Sequence, residues 1–343
     1  MIETSHGLTS RLIMDGLFEK AIEGLRSKKI PEPQKDSICS IDEITVNEGK
    51  VEKIESGDRY QLNAKAGYDY IINEDLIKCA YSESSSVYEM LEGRAVSTAH
   101  SLVYVTKTKY VPVSYVSLKY ITHSDSIAKQ MGQSAILSDH VSHDTAIAVA
   151  RDKMSFLDKY CTPNSLLYID GPLIAGDDYT TFLKQIDKFC DHNIIPVFFI
   201  SKSNSCMVVD NVNSLSSKYN SDSHWANSIL DSGQRTAFYS YTDLHNSRNS
   251  KAFCYIKIKD NARIVRVELP LIIYRSSGIN LEGIMNSVYY MLLAQGSFTK
   301  PQVRLIAVAR MYSNETLKLI DIEREVRKSK LQTIFDQFNG SDN

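Results

Sequence analysis

Apolar positions along this chain change period several times, and each change marks a new kind of element. Residues 9–27 place Leu12, Ile13, Leu17, Phe18, Ile22 and Leu25 on one helical face. Lys28 to Lys65 is polar and loop-like, with Pro31 and Pro33 near its start. Residues 1–65 therefore read as a helical arm and linker, either serving self-association or partner contact or simply covering the core. Residues 66–343 read as the main domain. Three strand-like runs open it: Leu76 to Tyr81, Arg94 to Thr106 and Tyr110 to Thr122. The third alternates through Val111, Val113, Tyr115 and Leu118. Short links, including Lys107-Thr108-Lys109, predict an antiparallel meander.

The period then lengthens. Ile147, Ala150, Met154 and Leu157 recur at helical spacing between Asp144, a plausible N-cap, and Tyr160. The run Leu166-Leu167-Tyr168-Ile169 predicts a buried strand ending at Asp170. A helix over Tyr179 to Asp191 and a second buried strand over Ile194 to Ser201 follow. Continuous apolar strands joined by a helix argue a parallel pair. Beyond a Ser- and Asn-rich loop come a helix near Trp225 to Leu230 and strands over Thr236–Tyr241, Phe253–Ile258 and Ile264–Leu269. Helices over Leu281–Ala294, Gln302–Tyr312 and Glu315–Phe338 close the chain. This βββαβαβ order predicts an α/β, ribonuclease-H-like mixed sheet flanked by helices. In that fold the first and fourth strands are neighbours, and their tips and the first helix carry acidic residues that hold divalent metal.

Composition narrows the picture. The 343 residues are 43% hydrophobic and 23% charged, ample for a packed core. Thirty-nine basic and 41 acidic side chains leave a formal charge of −2, so no global positive field gathers nucleic acid. Six cysteines show no C-x-x-C spacing, which argues against a zinc ribbon and for a reduced setting. The first residues lack the basic and apolar regions of a signal peptide. The longest apolar runs are too short to span a bilayer, so a soluble, cytoplasmic protein is expected.

Candidate chemistry centres on Asp170. A carboxylate at a strand tip, followed by a Gly that lets the chain turn, is placed for metal chemistry, although Asp-Gly is also a common turn pair. Asp139, His140, His143 and Asp144 form a second polar group. His140 and Asp144, four apart, share a helix face as ligands would, or the group is a polar helix start capped by Asp144. His100, His192, His224 and His245 have no partners at telling spacing.

The chain resembles the NurA family, archaeal and bacterial nucleases that work with the hexameric ATPase HerA in DNA end processing. Four pieces carry the resemblance. Leu166-Leu167-Tyr168-Ile169-Asp170-Gly171-Pro172-Leu173-Ile174 is similar to the family's strand ending in an Asp-Gly-Ser-Leu turn. Phe199-Ile200-Ser201-Lys202-Ser203 matches a strand followed by a Ser-Lys pair. Leu230-Asp231-Ser232-Gly233-Gln234-Arg235-Thr236 is like the Gly-x-Arg-Ser turn, and Val265-Arg266-Val267-Glu268-Leu269-Pro270 like the Arg-x-Glu-x-Pro strand. Two departures stand out. The family's first-strand Asp-Gly-Ser falls at Ser82-Glu83-Ser84, and its C-terminal Tyr-Pro…Ala-His falls at Lys300-Pro301 and Ala307-Val308.

The resemblance implies a metal-dependent DNA endo- or exonuclease of double-strand break end resection, working as a homodimer with a HerA-like hexameric ATPase. Asp170 and a helix carboxylate would hold Mn²⁺ or Mg²⁺, with Glu83 completing the cluster. The helix carboxylate is Asp144 on periodicity or Asp152 on its spacing of 18 residues from Asp170. Lys202 would bind the scissile phosphate as a point charge. Glu268 reads as a strand-edge ion-pair partner of Arg266 or Arg263. The replaced residues open an alternative: a catalytically inactive structural partner of the ATPase. A third reading is an unrelated ribonuclease-H-like scaffold acting on RNA.

Overall fold

The computed structural model describes residues 49–90, 93–106, 109–173, 179–211, 215–216, 218–244, 248 and 250–319, together with positions 23, 324 and 328. The elements are β1 (Gly49–Lys53), β2 (Arg59–Gln61), α1 (Ala64–Asn73), β3 (Ile77–Met90), β4 (Gly93–Val105), β5 (Tyr110–Thr122), α2 (Asp125–Met131) and β6 (Ala135–Leu137). They continue with α3 (Val141–Tyr160), β7 (Ser165–Asp170), α4 (Tyr179–Asp191), β8 (Ile194–Ile200), α5 (Met207–Asn211), α6 (Asp222–Ile229), β9 (Gln234–Thr236) and β10 (Tyr239–Asp243). The last are β11 (Ser250–Lys257), β12 (Val265–Pro270), α7 (Leu271–Tyr274), α8 (Leu281–Gln295) and α9 (Arg304–Lys318).

The strands form one mixed sheet ordered β1-β10-β11-β12-β8-β7-β3-β4-β5-β6, with β9 bridging β11 to β2. The expected meander β3-β4-β5 is antiparallel, with β3 parallel to β7 and β7 parallel to β8. Every residue of β8 is buried, as is all of β7 short of Asp170, because helices cover both faces. Alternation along β7 divides the core. Leu167 and Ile169 pack with Met154, Phe156 and Leu157 of α3 and Phe189 of α4. Leu166 and Tyr168 pack on the other face with Ile284 and Val288 of α8 and Ile306 and Ala309 of α9. Val308, where the family pattern has His, is part of this apolar layer.

Several elements differ from expectation. Residues 49–61, expected to be loop-like, hold β1 and β2, which join the sheet at β10 and β9. Glu55 between them pairs with the buried guanidinium of Arg235 at 2.7 Å, so the folded body starts by Gly49 rather than at residue 66. Helix α1 packs on α8 through Gly67, where a Cβ would come within 2.0 Å of the Asn286 carbonyl oxygen. The N-cap of α3 is His140, and Asp144 lies in the helix's first turn. The strand expected over 236–241 is two strands, β9 and β10. The helices expected to meet near Tyr312 are one continuous α9. The helix over residues 9–27 and the terminal helix beyond residue 319 lie outside the described residues. Among the described residues no helix is long and apolar enough to cross a membrane.

Candidate functional site

Asp170 ends β7 at the sheet's rim. Gly171 follows with φ +99°, and its N–H donates to the Phe199 carbonyl at 3.0 Å, so the chain turns sharply over β8. The Asp170 side chain points to the α8/α9 face. There its Oδ2 accepts from Arg310 Nε at 3.0 Å and Nη2 at 2.5 Å, and from Ser82 Oγ at 2.8 Å. Arg310 comes from α9, which crosses β3, β4 and β5. Turned so that its amide oxygen faces the guanidinium, Gln302 accepts from Arg310 Nη1 at 2.6 Å. A carboxylate fixed by a guanidinium in this way is neutralised from within the chain.

The other expected ligands do not converge on Asp170. Glu83 follows Ser82 on β3 and so points to the opposite face. Its carboxylate accepts from Tyr81 Oη at 2.5 Å, and Tyr81 Oη lies 2.7 Å from His100 Nδ1. His100 is fully buried and stacks against Phe156 and Tyr115 at 5.8 and 5.9 Å. Burial holds its pKa below the ordinary histidine value, outweighing the pull of Glu83 and Asp152. Asp152 projects from α3 to β5, where it accepts from Ser117 at 2.7 Å and pairs with Lys119 at 2.5 Å. Asp144 sits two turns earlier on α3, about 12 Å along the axis at the standard helical rise. Lys202 follows β8 and is exposed.

Among the described residues no three His, Cys, Asp or Glu side chains group as metal ligands, the Asp139–Asp144 segment included. A hard divalent cation requires several negative oxygens around one point. This donor set offers one carboxylate, already ion-paired, so it does not fit Mn²⁺ or Mg²⁺.

The NurA domain family model matches residues 84–283. The chain belongs to the NurA family. The matched span holds Asp170 but neither Ser82 nor Arg310, so both side chains that fix it lie outside the span. Among solved structures, the NurA nuclease from Sulfolobus solfataricus is 10% identical, with 91% of this chain and 95% of that one covered at a TM-score of 0.49. NurA with manganese is 10% identical, covering 80% and 93% at a TM-score of 0.37. NurA bound to dAMP and manganese is 10% identical, covering 73% and 89% at 0.30. A search of curated proteins finds no match.

A buried ionic group supports the NurA domain's Asp-Gly turn from behind. Glu268 on β12 is fully buried and pairs with Lys251 at 2.6 Å and Arg266 at 3.0 Å. Its second oxygen accepts from the Leu173 N–H at 2.7 Å, tethering the segment that leaves Asp170. Burial pushes the Glu268 carboxyl up. The Lys251 and Arg266 charges outweigh it and hold the pKa below the ordinary glutamate value. The expected Arg266 partner is present, but β12 lies inside the sheet between β11 and β8, not at an edge. Arg266 Nη1 also donates to Ser203 Oγ at 2.9 Å. Asp222 is buried nearby, accepting from Tyr255 Oη at 2.6 Å and from the N–H groups of Val208 and Val209. Burial raises its pKa to about 6. Arg310, Lys251 and Asp222 were not singled out from sequence. Their partners lie far along the chain, 140 residues away for Arg310, and no local spacing signals them.

Proposed function

We propose that this NurA-family chain is a non-catalytic partner in DNA end processing. It engages DNA as a homodimer beside a HerA-like hexameric ATPase, in cytoplasmic double-strand break resection, with its own hydrolytic centre closed. The observation that carries this reading is the Asp170–Arg310 ion pair, joined by the Ser82 hydroxyl. The fold reads as ribonuclease-H-like, supported by the run β5-β4-β3-β7-β8 with β4 alone antiparallel to its neighbours. At the position where that fold gathers acids, this chain supplies a serine, an arginine and one aspartate. The near-neutral charge suits a subunit that receives DNA from a ring rather than capturing it from solution.

Purified protein incubated with labelled single- and double-stranded DNA and Mn²⁺ or Mg²⁺, with and without the ATPase, tests the reading beside Asp170→Ala. We expect no cleavage above the level of the variant. Metal-dependent cleavage lost in Asp170→Ala would overturn it in favour of a metal-dependent nuclease. One observation favours that second reading: the Arg310 side chain is 41% exposed, so it has room to swing off Asp170.

A further inference from the structure

A cleft of about 650 Å³ opens beside the Asp170 rim, lined by His224, Asn227, Lys257, Asp260, Arg263 and Phe298 among others. Topology fixes its place. The carboxyl end of β8 lies against the start of β12, since Ile200 pairs with Arg266, and β8 is the immediate neighbour of β7. Two strand spacings, about 10 Å, therefore separate the turn before β12 from the line of β7. The cleft's volume is within the usual range for small-molecule sites. It opens broadly to solvent, as a groove that a strand crosses rather than a pocket that encloses a ligand.

Its walls carry nucleic-acid chemistry. The turn between β11 and β12 reverses through Asn261 at φ +61° and brings Arg263 to the surface. Arg263 makes no side-chain hydrogen bond or ion pair among the described residues, while its backbone N–H donates to the Phe298 carbonyl. That bond ties the two walls together. Lys257 is fixed by the carbonyls of Asn227 and Leu230 at 3.1 and 2.9 Å. The exposed Lys259 holds its ammonium over the Phe298 ring, 5.3 Å from the centroid. Two cations, Lys257 and Arg263, thus line the cleft with one carboxylate, Asp260, and a third, Lys259, covers the half-buried Phe298 ring. This is the pairing of backbone charge with a stacking platform that single strands require.

We infer that this cleft is a subsite for one nucleotide of a DNA single strand, its base on Phe298 and its phosphate on Arg263. An entering base takes the ring face now covered by Lys259 and releases that ammonium toward the phosphate. Stacking on an aromatic ring is the stronger of the two interactions. The inference rests on the proposal that the chain engages DNA.

The test is fluorescence anisotropy of a labelled fifteen-residue oligo-dT in EDTA, where hydrolysis plays no part. Arg263→Ala should weaken binding about five-fold and flatten the salt dependence by about 0.7 of a log unit per log salt. Phe298→Leu, which keeps the apolar volume but removes the stacking face, should weaken binding about five-fold at an unchanged salt slope. Lys129→Ala, on α2, should bind as wild type does. Wild-type protein that binds no oligonucleotide, or both cleft variants binding as tightly as wild type, would overturn the subsite. Metal-dependent cleavage by wild type would overturn the closed centre and leave the subsite standing.

Discussion

Arg310 gives two N–H groups to a single oxygen of Asp170, and Ser82 donates to that same atom. A metal ion would have to displace a guanidinium already in charge-assisted contact. Millimolar Mn²⁺ should therefore leave the melting temperature of the wild-type protein unchanged. A site half-saturated at one-hundredth of that concentration would add about 2.7 kcal/mol of stability. Such a gain shifts a domain of this size by several degrees. Differential scanning fluorimetry with and without Mn²⁺ separates the outcomes.

His100 should carry its proton on Nδ1 and take up a second proton only below the ordinary histidine range, because burial lowers its pKa. Tyr81 donates to Glu83, so it must accept from the imidazole it faces at 2.7 Å. The buried ring has a lowered pKa, so the unfolded chain takes up the proton first. Its stabilising contribution is full above the unfolded value of about 6.5 and is lost as pH falls below it through the folded pKa. Nitrogen-detected NMR of labelled histidine reads both tautomer and titration. A His100 that titrates at or above the ordinary value of about 6.5, or that carries its proton on Nε2, would refute the assignment.

Removing the anion from the buried ionic group should cost far more than removing a surface pair. Glu268→Gln leaves Lys251 and Arg266 at 3% and 2% exposure without their shared carboxylate. Breaking a buried pair from one side costs about 3–5 kcal/mol. Lys188→Ala, which breaks a half-exposed pair with Asp158, should cost under about 1 kcal/mol. Urea denaturation compares them. Similar midpoints for the two variants would show that Glu268 is not holding the Asp-Gly turn.

Asp222 should tilt the stability curve the other way from His100. Its pKa rises from 3.8 to about 6 on folding, so the native state holds the extra proton between those values. Stability from this group is fullest below pH 4 and falls as pH climbs to about 6, by about 3 kcal/mol in all. Asp222→Asn cannot titrate, and the difference in unfolding free energy between it and wild type should follow this slope. A difference independent of pH from 4 to 7 would place the folded pKa near its ordinary value.

The meander, the parallel pair and the helices α3 and α4 were legible because their signals are local; the short α2 and α5 were not. The alternation of β5, the continuous apolar runs of β7 and β8 and the 3.6 period of α4 lie within windows of a dozen residues. Asp170 and its Gly171 turn were legible for the same reason. What escaped was set by contacts between distant segments. Residues 49–61 are polar because β1 is exposed on most of its length, so nothing in them announces a strand that pairs with β10. Glu83 looked like a substitute for the missing aspartate because it is one residue along. A single step along a strand, however, reverses the side chain's face. Arg310 was invisible as a partner, since an arginine on an amphipathic helix reads as a solvated face until the helix is laid on the sheet.

Rebuilding an acidic pair should restore cation binding. Ser82 Oγ already lies 2.8 Å from Asp170 Oδ2, so Ser82→Asp brings a second carboxylate to the same rim. With Arg310 in place, the guanidinium shares itself between the two acids and no ion is needed. With Arg310→Ala added, two carboxylates face each other with no cation, and one of them is forced to hold a proton. A divalent ion relieves that repulsion and displaces the proton, so its affinity must rise with pH. Isothermal titration with Mn²⁺ should detect binding by the Ser82→Asp/Arg310→Ala double variant, stronger at pH 8 than at pH 6. Neither wild type nor Ser82→Asp alone should bind. Binding by wild type would show that Arg310 does not guard Asp170. Silence from the double variant would show that the rim cannot bring the two acids together.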